Sequence, residues 1–235
     1  MDQKAFFNLI GVTDQKPTLK ESLISGIGGF LGIFAIFMTS LWLLPPAVSV
    51  LIVPSMGASA VLLFAAPHVP FSQPWNLVGG HAISALVGVA CWQWISDFVT
   101  AASASVGVAI SLMYLARCTH PPGGATALAA VIGSEKLHQL GFSYEYAPIL
   151  LNVLTILAVA IGFNALFHWR RYPAWLHKWT ASKPEFKGYT PINHEDFVYA
   201  LSQIDTFVDI SEDDLLEIYR LATRRHVQSA TPSRS

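Results

Sequence analysis

Pro54-Ser55-Met56-Gly57-Ala58-Ser59-Ala60 and Pro121-Pro122-Gly123-Gly124-Ala125-Thr126-Ala127 share the pattern P-x-x-G-A-[S/T]-A at an offset of 67 residues. They lie in two apolar stretches, residues 47–66 and 120–133, that make poor continuous helices. Proline lacks an N–H and biases the residue before it away from helix. Each stretch therefore reads as extended chain, a proline break and a short helix of about 12 residues. Such a helix is about 18 Å long, well short of the roughly 30 Å hydrocarbon core of a bilayer. Non-helical backbone at membrane depth is tolerated only where protein or a wet cavity surrounds it.

The chain around these motifs is membrane-like. Of its 235 residues, 53% are hydrophobic and only 12% are charged, and mean hydropathy is +0.47. A soluble domain carries roughly 25% charged residues. Six charged residues fall in 1–21, eighteen in 170–235, and only five in 22–169: Asp97, Arg117, Glu135, Lys136 and Glu145. That middle stretch cannot build a solvated surface, so a soluble protein is excluded. With a net charge of −1, nothing points to nucleic acid. Cys91 and Cys118 make neither a disulfide framework nor a metal-ligand spacing. The first apolar run, of about 23 residues, is too long for a signal-peptide core and reads as a retained anchor.

Four apolar runs are long enough to span: 22–44, 76–95, 101–117 and 148–169. Trp42, Trp75, Trp92, Trp94 and Trp169 sit near their ends, as interfacial aromatics do. Gly26, Gly28, Gly29, Gly32, Gly79, Gly88, Ala101, Ser105 and Gly107 are read as small residues for close helix packing. Lys4, Lys16 and Lys20 precede the first span, and Arg170, Arg171, Lys178, Lys183 and Lys187 follow the last. Both termini are therefore expected in the cytoplasm, with an even number of crossings. Four crossings plus two re-entrant half-helices satisfy this, and so do six crossings, which would make Arg117 cytoplasmic. The expected fold is an all-α polytopic membrane protein of two repeated halves, 22–96 and 101–169. Each half runs span, broken half-helix, span.

A half-helix that begins inside the membrane aims free N–H groups and the positive end of its dipole at the interior. Two converging N-termini would form an anion site without a formal positive charge. Gly57, Gly123 and Gly124 would bare the backbone amides there, with Gly57 and Gly124 as the nearest contacts. Ser55, Ser59 and Thr126 would add hydroxyls, and Met56, Ala58, Pro121, Pro122 and Ala125 complete the lining. The alternative is that these motifs only pack helices. Arg117 either steers or binds the anion, or only snorkels to the interface. His120 is expected to cap the second half-helix, with protonation coupled to transport as the other reading. His81, Asn76, Asn152 and Asn164 are expected to bridge helices, and Asp97 to be solvated.

The run from His120 to Leu128 resembles the signature of the HPP family of integral membrane proteins. The runs Pro54–Phe64, Gln73-Pro74-Trp75-Asn76 and Gly79-Gly80-His81 are similar to its other hallmarks, with Met56 as a departure. The resemblance covers about residues 20–170. It implies four membrane helices and passage of nitrite, or of a similar small anion such as nitrate.

Residues 1–21 read as a cytosolic arm, 170–192 as a basic aromatic linker, 193–226 as a small cytosolic helical hairpin and 227–235 as a disordered tail. The expected function is a transporter or channel for a small monovalent inorganic anion in a prokaryotic inner membrane. Its partners are the lipid bilayer and the anion, and a homo-oligomer is allowed. No cofactor or metal is expected. No Ser/His/Asp set, H-E-x-x-H or paired intramembrane carboxylate argues for an enzyme. The alternative is a sensor or scaffold whose hairpin is the output.

Overall fold

A computed structural model describes residues 18–44, 54–170 and 172–175. They are helical and turn structure, with no strand among them. The helices are α1 (Leu19–Leu43), α2 (Pro54–Ala65), α3 (Pro74–Trp94), α4 (Phe98–Leu115), α5 (Pro121–Ile132) and α6 (Leu151–Ala165). A 3-10 turn, Pro70–Ser72, precedes α3, and a one-turn helix, Glu135–His138, follows α5. A wider π turn, Glu145–Leu150, leads into α6 and contains Pro148, whose missing N–H breaks the regular ladder. The expected hairpin, the linker beyond Trp175 and the tail lie outside the described residues, as does the N-terminal arm before Thr18.

Local chemistry sets the boundaries. The Thr18 hydroxyl accepts from the Glu21 amide at 3.2 Å, so α1 starts three residues earlier than its apolar run. Asp97 is exposed, as expected, and caps α4 by accepting from the Thr100 amide at 2.8 Å. Pro74 and Pro121 sit in the first turns of α3 and α5, where a missing N–H costs nothing. α4 ends in a Schellman turn: the Cys118 amide donates to Met113 O at 2.9 Å and the Arg117 amide to Tyr114 O at 3.1 Å. Arg117 takes the left-handed position, φ 54°, where glycine is usual. This turn sends Cys118 and His120 inward and leaves Arg117 exposed.

Among the described residues, four helices are long and apolar enough to cross a membrane: Leu19–Leu43, Pro74–Trp94, Phe98–Leu115 and Pro148–Ala165. The two proline-led helices, α2 and α5, are 12 residues each. The surface is apolar, unlike that of a soluble protein. Phe30, Phe34, Trp42, Leu115 and Leu154 are exposed, whereas Ser40, Ser55, Ser59, His81, Ser84, His120, Thr126, Asn152 and Asn164 are buried. Such a surface is stable against lipid, not water.

Contacts fix the helix directions. α1 and α6 are antiparallel: Gly28 faces Phe163, Gly32 faces Ile156, and Ser40 Oγ donates to Asn152 Oδ1 at 2.9 Å. α3 and α4 form an antiparallel hairpin, with Trp75 Nε1 donating to Ala116 O at 3.2 Å. α5 runs parallel to α3, since Gly80 meets His120 while Gly88 meets Ala127 and Ala130. One end of the bundle holds the start of α1 and the ends of α2 and α6. There Arg170 Nη2 pairs with Glu21 Oε1 at 2.6 Å, and Nη1 donates to Phe64 O at 2.7 Å and Asn164 Oδ1 at 3.1 Å. The start of α3 joins them, because Ala174 N donates to Gln73 Oε1 at 2.9 Å. The asparagines bridge as expected, Asn76 Nδ2 donating to Thr119 O at 2.9 Å and Asn164 Nδ2 to Leu63 O at 3.1 Å.

Candidate functional site

The two motifs meet. α2 and α5 lie side by side and antiparallel, with Thr126 Oγ1 donating to Ser55 Oγ at 2.8 Å and Ser59 Oγ 2.9 Å from His120 Nε2. α3 adds His81, whose Nε2 is 2.9 Å from Ser59 Oγ and whose Nδ1 is 2.8 Å from Thr126 Oγ1. His120 Nδ1 donates to Phe71 O at 2.8 Å. A continuous hydrogen-bonded chain thus runs from Phe71 O through His120, Ser59, His81 and Thr126 to Ser55. All five polar side chains are fully buried, and the two imidazole centroids are 4.9 Å apart.

Glycine makes this approach possible. A Cβ on Gly80 would lie 2.5 Å from His120 Cβ, and one on Gly123 would lie 2.8 Å from Ser84 Oγ and 3.0 Å from Gly80 O. The proton positions follow from the partners. Phe71 O can only accept, so His120 carries a proton on Nδ1. Chemically the chain can exchange protons, present hydroxyl donors or polarise Ser59.

Of the residues expected at the site, Ser55, Ser59, His120 and Thr126 are brought together. Met56 is buried instead in the apolar core with Ile36, Leu63 and Phe64. Pro122 and Gly123 are buried, Gly123 at the α3–α5 contact. Gly57, Ala58, Pro121, Ala125 and Arg117 are exposed and Gly124 is half-buried, all outside the hydrogen-bonded chain. Two expectations are corrected. His120 occupies the N-cap position of α5 but makes no side-chain cap bond, because its ring turns inward to Ser59 and Phe71. The two half-helix N-termini do not meet end to end. Antiparallel packing carries each past the other, Ser55 lying against the second turn of α5 and His120 against the second turn of α2.

His81 and the Phe71 carbonyl were not among the residues expected at the site. His81 does bridge helices, yet it is also the centre of the chain. Its signal was the adjacent Gly80, small enough to admit a second histidine.

A Cβ on Gly57 would meet nothing within 4 Å, and one on Gly124 only Val106 Cγ1 at 3.8 Å. Gly57→Val and Gly124→Val are therefore expected to leave the gel-filtration profile in detergent unchanged. A shift to aggregate would show that these faces are packed. Glu145, just before the last span, is buried with Oε2 unpartnered. Burial pushes its carboxyl up to about 7 from 4.5. The folded state thus holds its proton to higher pH than the unfolded chain, and Glu145 subtracts stability from about pH 4.5 upward, levelling off above about pH 7. Glu145→Gln is expected to raise the melting temperature at pH 8 and leave it unchanged at pH 4; equal melting at pH 8 would contradict this.

Helices of spanning length, an apolar exterior and a buried polar centre define a multi-pass membrane protein. The chain belongs to the HPP family: the family model described as HPP, transmembrane region, matches residues 14–173. Two transmembrane proteins of Dictyostelium discoideum are each 35% identical to it, over 162 and 161 residues. Each match covers 67% of this chain, and 52% and 56% of the respective relative, so the chain spans about half the length of these relatives. No solved structure matches.

Proposed function

We propose that the protein moves a small monovalent inorganic anion, nitrite or nitrate, across the membrane along the seam between α2 and α5. The observation that carries this reading is the buried polar seam itself. Two proline-led half-length helices pack antiparallel at the centre of an apolar bundle, and hydroxyls and imidazoles bond across their contact. Polar and ionisable groups are costly within a membrane and mark substrate or ion pathways. Interrupted helices in corresponding positions of two halves mark transporter sites.

Helix directions support six passages related as inverted repeats. The chain leaves α1 at the end opposite Arg170 and returns to the Arg170 end by the close of α2. α5 crosses in the other sense, and the stacking of His138 on Trp92 at 3.6 Å marks its arrival at the far end. Exchanging α1 with α4, α2 with α5 and α3 with α6 preserves the neighbours: α1 lies on α2 and α6 as α4 lies on α5 and α3. Lys20, Arg117 and Arg170 share one end, which is therefore the cytoplasmic one and carries both flanks of the described chain. The sensor or scaffold reading rests on the hairpin at 193–226, outside the described residues.

The test is nitrate and nitrite uptake into liposomes holding only this protein, with sulfate for comparison. Uptake of the monovalent ions above protein-free vesicles, and little of sulfate, is expected, because dehydrating a divalent ion costs more than a few hydrogen bonds return, each about 1.5–3 kcal/mol to a charged group. Equal leak with and without protein would refute the reading.

A further inference from the structure

We propose that the chain from Phe71 O to Ser55 is a single-proton site, loaded with one H⁺ for each anion carried, so that the protein is an electroneutral proton–anion symporter. This rests on the anion-transport reading above.

The hydrogens of the chain set its capacity. Five contacts join the chain: His120 Nδ1 to Phe71 O, His120 Nε2 to Ser59, Ser59 to His81 Nε2, His81 Nδ1 to Thr126, and Thr126 to Ser55. Each needs one hydrogen. With both imidazoles neutral, the hydrogens of His120, Ser59, His81 and Thr126 fill only four if Thr126 donates to Ser55 as found. One added proton supplies the fifth, while the hydrogen of Ser59 is shared with a further acceptor in its own helix, Ser55 O at 3.1 Å. It can reside on either ring. On His81, Nδ1–H donates to Thr126 and Nε2–H to Ser59, which donates to His120. On His120, Nε2–H donates to Ser59, which donates to His81. Moving between these states breaks the His81 Nε2–H bond, forms a new O–H bond on Ser59, and passes Ser59's original hydrogen to His120 Nε2. Nothing else is gained or lost. A second added proton would set two imidazolium rings 4.9 Å apart in an apolar bundle, and like charges so placed oppose one another. The capacity is therefore one.

Among the described residues, no charged side chain bonds to the chain, and the nearest buried carboxyl is Glu145. α2 and α5 carry no ionisable side chain, and in α3 the other ionisable group is Cys91. Cys118 lies beside Gly79, the Tyr144 hydroxyl donates to Thr126 O at 3.4 Å, and Glu145 follows it. His68 belongs to the loop that supplies Phe71, Arg117 is exposed, Tyr114 is exposed on α4, and Glu21 pairs with Arg170 at the bundle end. An anion in the seam therefore meets its counter-charge as the loaded proton, which also matches one monovalent charge per cycle.

The experiment is nitrate uptake into proteoliposomes with a trapped pH-sensitive dye, run with the membrane potential clamped by potassium and valinomycin. The expected result is one proton entering per nitrate, at a rate independent of the clamp. Uptake should rise about tenfold per pH unit of acidification over the titrating range, the slope for a single proton. Ser59→Ala should flatten this slope, while Ser59→Thr, which keeps the hydroxyl, should restore it; His81→Gln should flatten it too, with folding of each checked by gel filtration. Nitrate entering without protons, or an unchanged slope in folded Ser59→Ala and His81→Gln, overturns the proton site and leaves anion transport standing. Protons entering without nitrate keep the proton site but overturn the symport and the anion reading. Neither ion entering, with nitrite uptake also at the protein-free level, overturns both.

Discussion

Gly88→Val is expected to abolish accumulation of folded protein. A Cβ at Gly88 would sit 2.5 Å from Ala127 O, 2.7 Å from Ala130 Cβ and 3.0 Å from Ala127 Cα. Two of these atoms are backbone of α5, so no side-chain rotation relieves the overlap and the helices must separate. Overpacking a filled core costs about 1–3 kcal/mol, and more when backbone must shift. Here the displaced interface also holds His81 against Ser59 and Thr126, so its hydrogen bonds would be strained together. Gly107 is exposed, and a Cβ there would meet nothing within 4 Å, so Gly107→Val is the control. Size-exclusion profiles and melting curves in detergent decide it. A monodisperse Gly88→Val protein melting with wild type would mean that α3 and α5 do not touch as described.

The second large effect is expected from Glu21→Ala. Arg170 is 1% exposed in its side chain while Glu21 remains 33% exposed. Removing the carboxylate leaves a buried guanidinium with only neutral acceptors, Phe64 O, Asn164 Oδ1 and Ser25 Oγ. Breaking a buried pair in this way costs about 3–5 kcal/mol. Arg170→Met should cost less, because the orphaned Glu21 can turn to water while methionine fills the apolar volume. The predicted order of melting temperatures is wild type, then Arg170→Met, then Glu21→Ala. The reverse order of the two variants would show that Arg170 is solvated.

Much of the scaffold was legible because membrane solvation leaves coarse marks. Long apolar runs announced the four spanning helices, and Pro54 and Pro121 announced the two 12-residue helices. Direction was not legible. Which end of the bundle Phe64 reaches is set by Arg170 donating to its carbonyl, a contact across 106 residues. Arg170 itself read as linker because its charge suggested water; burial became tolerable only through Glu21, Asn164 and two carbonyl- or hydroxyl-bearing neighbours. In the site, the hydroxyls of Ser55, Ser59 and Thr126 stood out within their motifs. The spacing shared by the two motifs did not reveal that antiparallel packing would turn Gly57 outward and Ser59 inward on the same helix. His81 lies on another helix, so only the fold could set it between them.

Central to the account is that the Ser55–Thr126 contact lies on the anion path. Ser55→Cys with Thr126→Cys, in a background where the buried Cys91 and Cys118 are replaced by alanine, tests this directly. The two hydroxyl oxygens are 2.8 Å apart, close enough for paired sulfurs to bond after small adjustment. The measurement is nitrate uptake by the double-cysteine protein before and after oxidation, and again after reduction. A disulfide is expected to form, uptake to stop when it does, and reduction to restore it. A disulfide that forms fully while uptake continues unchanged would contradict the account.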